Sequence, residues 1–199
     1  MNKTDTYQTI AAVATGEYKE KGSRFVAYAY PITDETDLKN CLDALRTEHP
    51  KARHHCYAYR LDADAQRYRI NDDGEPSGTA GRPIIGQIDS AGLTHVLVVV
   101  VRYFGGTKLG VSGLITAYKA AAHAALAAAE IVTKRVETII VFDCNYANLP
   151  TVRSVLKRQN TTIYTQVFDA ENTTIQVVVA VDDAAELRAA LTDLVVFGD

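Results

Sequence analysis

Two glycine-bearing loops hold the residues best suited to chemistry. The first reads Asp72-Asp73-Gly74-Glu75-Pro76-Ser77-Gly78-Thr79-Ala80-Gly81. Its three clustered carboxylates offer oxygen ligands for a divalent cation, or an acid–base pair if their pKa values separate. The EF-hand ligand pattern is absent, and solvated turn acids paired with arginines account for the same residues. Ser77 or Thr79 is placed to cap a helix starting near Thr79, while Gly78 and Gly81 permit close approach of a ligand or backbone. The second loop reads Arg102-Tyr103-Phe104-Gly105-Gly106-Thr107-Lys108-Leu109-Gly110. A strand ending at Arg102, a glycine turn and a helix from Gly110 suit an anion, because helix N-termini present unpaired N–H groups. Arg102 and Lys108 add positive charge for a phosphate. Neither a G-x-x-x-x-G-K nor a G-x-G-x-x-G spacing is present. A tight turn with close helix–sheet packing would use Gly105, Gly106 and Gly110 equally well.

His54, His55, Cys56 and Tyr57 follow one another on an expected strand. Neighbouring strand residues face opposite ways, so the two histidines do not share a metal. His54 and Cys56 point to one side and form a conceivable nucleophile pair. Nothing in the sequence lowers the thiol pKa, and a buried hydrophobic cysteine is the ordinary reading. Tyr57 and Tyr59, beside Arg60 and Arg69, offer either a base-stacking surface or core aromatics with hydroxyls at the edge. No catalytic set, cofactor motif or metal site follows from these residues.

Tyr7–Ile10 and Ser23–Pro31 are extended, and Asp34 caps a helix carrying Leu38, Leu42 and Leu45 that stops before Pro50. His55–Leu61 and Tyr68–Asn71 form a hairpin, and a helix follows from Thr79 to Gly92. The run Val96–Val101 suits a strand buried on both faces, leading through the glycine turn to a helix over Gly110–Glu130. Beyond residue 132 the order is a strand (Val136–Asn145), a helix (Leu149–Gln159), two strands (Thr162–Asp169, Thr174–Val181), a helix (Ala184–Leu194) and a short strand (Val195–Phe197). That is the order of a ferredoxin-like split βαβ unit. The expected domains are therefore 1–131 and 132–199, in an α+β chain.

The 199 residues are 47% hydrophobic and 23% charged, enough for packed cores without staples. Cys41, Cys56 and Cys144 are scattered, which suggests neither disulfides nor zinc. No apolar stretch spans a membrane, and the start lacks signal-peptide features, so a cytoplasmic protein is expected. Net charge is −3, yet residues 51–119 hold nine basic and six acidic residues, leaving −6 on the remainder. A locally basic face on an acidic protein attracts phosphates while the whole stays dispersed.

Together these motifs resemble the YigZ/IMPACT family. The resemblance rests on Lys21-Gly22-Ser23-Arg24-Phe25, on His54 through Tyr59, on the Asp72–Gly81 loop and on Arg102 through Gly106 with Leu109-Gly110. It implies an N-terminal domain similar to domain IV of elongation factor G, with a ribosomal-protein-like β-α-β fold. It also implies a C-terminal domain similar to domain V of that factor. Eukaryotic members restrain a starvation-responsive translation-initiation kinase by engaging its ribosome-associated activator. What the resemblance implies here is a translation-associated protein that binds RNA or the ribosome, with a protein partner or a small-molecule enzyme as alternatives. The implied functional surface comprises His55, Arg69, Arg102, Gly105, Gly106, Lys108 and Gly110, beside the loop residues Asp72, Asp73, Glu75, Ser77 and Thr79. Ser112 and Thr116 depart from the family pattern, which has glycine and arginine there. The RNA-binding reading predicts Arg69, Arg102 and Lys108 on one exposed face and loses its sequence support if they scatter or are buried in ion pairs. The enzyme reading predicts a pocket where His55, Glu75 and Arg102 converge.

Overall fold

The unbroken apolar run Val96–Val101 becomes the middle strand of a sheet covered on both sides. The computed structural model describes residues 5–198, and the chain divides into two compact units between Lys134 and Arg135. In the first unit, strands β2 (Ala14–Glu20), β3 (Ser23–Pro31), β4 (His54–Leu61), β5 (Arg67–Asn71) and β6 (Val96–Tyr103) form an antiparallel sheet in the order β2-β3-β6-β4-β5. Val96, Val98 and Val100 face helices α2 (Gly81–Ser90) and α3 (Gly110–Ala127), together with Phe25, Cys56 and Ala58. Leu97, Val99 and Val101 face α1 (Glu35–Glu48), together with Tyr57 and Tyr59. Each fully buried valine contributes about 1.5–3 kcal/mol, which fixes the register of the central strand against its neighbours. His54 and Phe25 both pair with Arg102, so these three side chains share the α2/α3 side.

Asp34 caps α1 as the sequence requires, its Oδ1 accepting from the Thr36 and Asp37 amides. The short pair β1 (Thr6–Ile10) and β7 (Ile131–Arg135) forms its own two-stranded sheet. Strand β2 has no counterpart among the expected elements. Its inward residues are Ala14, Gly16 and Tyr18, too small and too few to mark a strand. Gly16 packs against α3 so closely that a Cβ there would lie 2.3 Å from the Ala125 amide nitrogen. The alanines of α3 make this approach possible.

The second unit runs β8 (Glu137–Asn145), α4 (Leu149–Arg158), β9 (Thr162–Phe168), β10 (Asn172–Ala180), α5 (Val181–Leu191) and β11 (Val196–Phe197). Its sheet order β11-β8-β10-β9 is that of the ferredoxin-like split βαβ fold. Ile140, Phe142, Ile175 and Val177 pack under α4 and α5. The molecule is thus α+β throughout, and among the described residues no helix is long and apolar enough to cross a membrane.

Candidate functional site

The acidic loop turns its carboxylates inward, each to a different task. Asp72 accepts three backbone N–H groups: Gly78 on Oδ2 at 2.8 Å, and Ala80 and Gly81 on Oδ1 at 3.0 and 2.8 Å. It therefore satisfies the N-terminus of α2 from eight or more residues upstream. Burial pushes its pKa up, but those three donors outweigh burial and hold it below the ordinary carboxylate value. The expected caps are not used: Thr79 is buried and donates to the Pro76 carbonyl at 2.7 Å, and Ser77 stands exposed. Asp73 accepts the His55 amide at 2.7 Å. Glu75 is 9% exposed and accepts from Arg102 Nη1 at 2.6 Å and from the Tyr118 hydroxyl at 2.8 Å. Three carboxylates with three separate sets of partners do not form one ligand set for a cation.

Arg102 lies between aromatic faces, its guanidinium 5.4 Å from the Phe25 ring centroid and 5.6 Å from that of Phe104. It is 7% exposed, so its charge is neutralised inside the fold rather than offered to a ligand. That corrects the expectation that Arg102 adds positive charge for a phosphate. His54 completes the cluster, with Nδ1 2.9 Å from the Asp73 carbonyl and Nε2 4.0 Å from Glu75. The Cys56 sulfur lies 3.0 Å from the Asp72 carbonyl and 3.3 Å from the Tyr118 hydroxyl. Burial pushes the Cys56 thiol well above its ordinary pKa, so it is no thiolate nucleophile. Burial likewise pushes the Tyr118 hydroxyl up, keeping it a neutral donor to Glu75.

His55 sits on the opposite, α1 side, 6% exposed, where burial lowers its pKa. It does not converge with Glu75 and Arg102; its neighbour His54 does. Tyr57 and Tyr59 are buried under α1, at 6% and 2% exposure, and cannot stack on bases. Arg69 is exposed on β5 opposite Tyr59, hence on the α1 side, whereas Arg102 points to the other. Arg69, Arg102 and Lys108 therefore do not form one basic patch. Tyr118 and Phe25 carry the network and were absent from the expected site. A lone tyrosine among the alanines of a buried helix stripe is the signal that would have found Tyr118, since its hydroxyl needs a partner.

What remains exposed is the glycine turn. A Cβ on Gly105 would fall 1.9 Å from the Gly22 carbonyl carbon, and the Gly105 amide donates to the Ser23 hydroxyl at 3.1 Å. This close crossing brings the Lys21–Gly22 turn against Gly105. Gly106 and Gly110 have φ of +87° and +72°, a conformation that glycine adopts without strain. α3 begins with no side-chain cap and no acid in its first turn. Lys21 and Lys108 are exposed, and neither has an ion-pair partner among the described residues. Beside them Phe104 and Val111 are 57% and 59% exposed.

Residues 21–126 match the family model described as the Impact N-terminal domain, a span that contains both loops and Tyr118. The Escherichia coli protein described as IMPACT family member YigZ is 36% identical over 148 residues, covering 73% of this chain and 72% of that one. A Saccharomyces cerevisiae protein described as Protein IMPACT homolog is 35% identical over 102 residues, 49% of this chain and 39% of its own length. A crystal structure described only as that of a hypothetical protein superposes with a TM-score of 0.81 at 32% identity, over 96% of this chain and 93% of its own.

Proposed function

The chain belongs to the IMPACT family, and from that premise we propose that it is a cytoplasmic, translation-associated regulatory protein. In this reading its IMPACT-like domain, residues 1–131, binds nucleic acid or the ribosome through the Gly105–Gly110 turn. One observation carries the reading: the charges of the conspicuous residues are used up within the fold, and those left outside are positive. Asp72, Asp73 and Glu75 are all engaged internally, and Arg102 is cancelled by Glu75. The exposed rim keeps Lys21, Lys108 and the uncapped first turn of α3. That combination favours phosphate. Arg69, on the other side of the sheet, is outside this surface.

A second reading has its own observation. Phe104, Val111 and Ile115 are exposed apolar residues at or near the same turn, as a protein–protein adaptor would present. The test is binding of the purified chain to RNA and to ribosomes at two salt concentrations, with Lys108→Ala alongside. Phosphate recognition weakens steeply with salt, and Lys108→Ala lowers the salt slope by about one. Binding that ignores salt but is lost in Phe104→Ser favours the adaptor. Absence of binding at low salt defeats the nucleic-acid reading.

A further inference from the structure

Strand β9 closes one edge of the second unit's sheet and is paired on one side only, to β10. Its sequence, Thr162-Ile163-Tyr164-Thr165-Gln166-Val167-Phe168, contains no charge, proline or glycine. Folded proteins usually blunt such an edge with lysine, proline, a β-bulge or a covering element, because its free N–H and C=O groups template another strand. Here Tyr164, Val167 and Phe168 are 69%, 60% and 58% exposed. The one such device on β9 is a bulge at Tyr164, where the register shifts between Gln176 and Val177; it leaves Thr165–Phe168 as a regular edge paired with β10.

We propose that β9 is an association edge, at which a second copy of this chain adds its own β9 antiparallel and joins the two sheets into one. Charge selects this occupant. Lys157, on the last turn of α4, lies beside Thr162 and Ile163 at the start of β9, and Asp169 and Glu171 follow its end, whereas Arg158 turns toward Asp183 and Glu186 of α5. An antiparallel self-pair sets the basic end of each copy beside the acidic end of the other, twice over. Within the strands no like charges meet, and aromatic and β-branched side chains face one another across the joint. The strand itself carries no lysine or arginine for a nucleic acid, and Arg153, which reaches it from α4, donates to the Gln166 side chain at 3.1 Å. A peptide of single charge sign would match only one end.

The test is sedimentation velocity of the full chain across a wide concentration range, with Val167→Lys, Tyr164→Lys and the charge swap Lys157→Glu/Glu171→Lys. The wild type passes from one mass to twice that mass as concentration rises. Each lysine variant raises the dimer dissociation constant about tenfold or more, with an unchanged far-UV spectrum. Lys157→Glu alone weakens the dimer, and the double swap restores it. Amide exchange in 165–168 slows with concentration in the wild type only. A single-chain mass at every concentration overturns the proposal. So does a dimer that both lysine variants leave intact.

Discussion

Replacing Glu75 by Gln keeps the volume and one acceptor oxygen but removes the charge that balances Arg102. The Glu75 and Arg102 side chains are 4% and 8% exposed and meet at 2.6 Å, so the guanidinium cannot turn to water without opening the loop. Breaking a buried pair from one side costs about 3–5 kcal/mol. The Phe25 and Phe104 faces remain in the variant and still solvate part of the cation, which places the expected loss near the lower end, about 3 kcal/mol. Nine of the eleven tyrosines precede residue 135, so near-UV circular dichroism in urea follows mainly the first unit. The midpoint should fall by about 1–3 M urea for a slope of typical size. The double replacement Glu75→Leu/Arg102→Met removes both charges and should recover part of the loss, the Tyr118 hydroxyl being left without its acceptor. If Glu75→Gln costs less than about 1 kcal/mol, the pair is solvated in the protein and the inward-facing loop described above is wrong.

Other outcomes follow from the same geometry. Asp72→Asn weakens the cap on α2 by about 1–2 kcal/mol at neutral pH. The folded pKa of Asp72 lies below its ordinary 3.8, so this contribution is full above that value and is lost as pH falls through the lower folded one; urea midpoints of both proteins should converge in acid. Gly105→Ala drives a methyl into the Gly22 carbonyl and should lower stability by about 1–3 kcal/mol, whereas Gly86→Ala, which meets nothing within 4 Å, should not. Cys56 should resist thiol reagents at neutral pH until the first unit unfolds, read by mass after timed labelling; rapid modification in the native state contradicts its burial.

Much of the scaffold is legible in the sequence because it rests on local pattern. The Val96–Val101 run declares a doubly covered strand, Asp34 declares the start of α1, and spacing alone orders the second unit as β-α-β-β-α-β. Strand β2 is not legible, because what holds it is close packing of Gly16 on alanines of a helix more than a hundred residues away. The site divides in the same way. Glycine and carboxylate density marks both loops, but sequence cannot say which of His54 and His55 faces them, since alternation fixes only that they differ. Arg102 illustrates the reverse: an arginine continuing a strand buried on both faces has to be paired, and Glu75 is the partner. At the glycine turn the free charge then falls to Lys21 and Lys108, which the sequence does not separate from the other basic residues.

The most direct test of the account compares binding of RNA and ribosomes by the wild type, Lys108→Ala and Lys21→Ala/Lys108→Ala at low and moderate salt. Binding at the glycine turn should be salt-sensitive and weaken stepwise, with the salt slope falling by about one per lysine removed. Binding that neither salt nor the two lysines alter would contradict it.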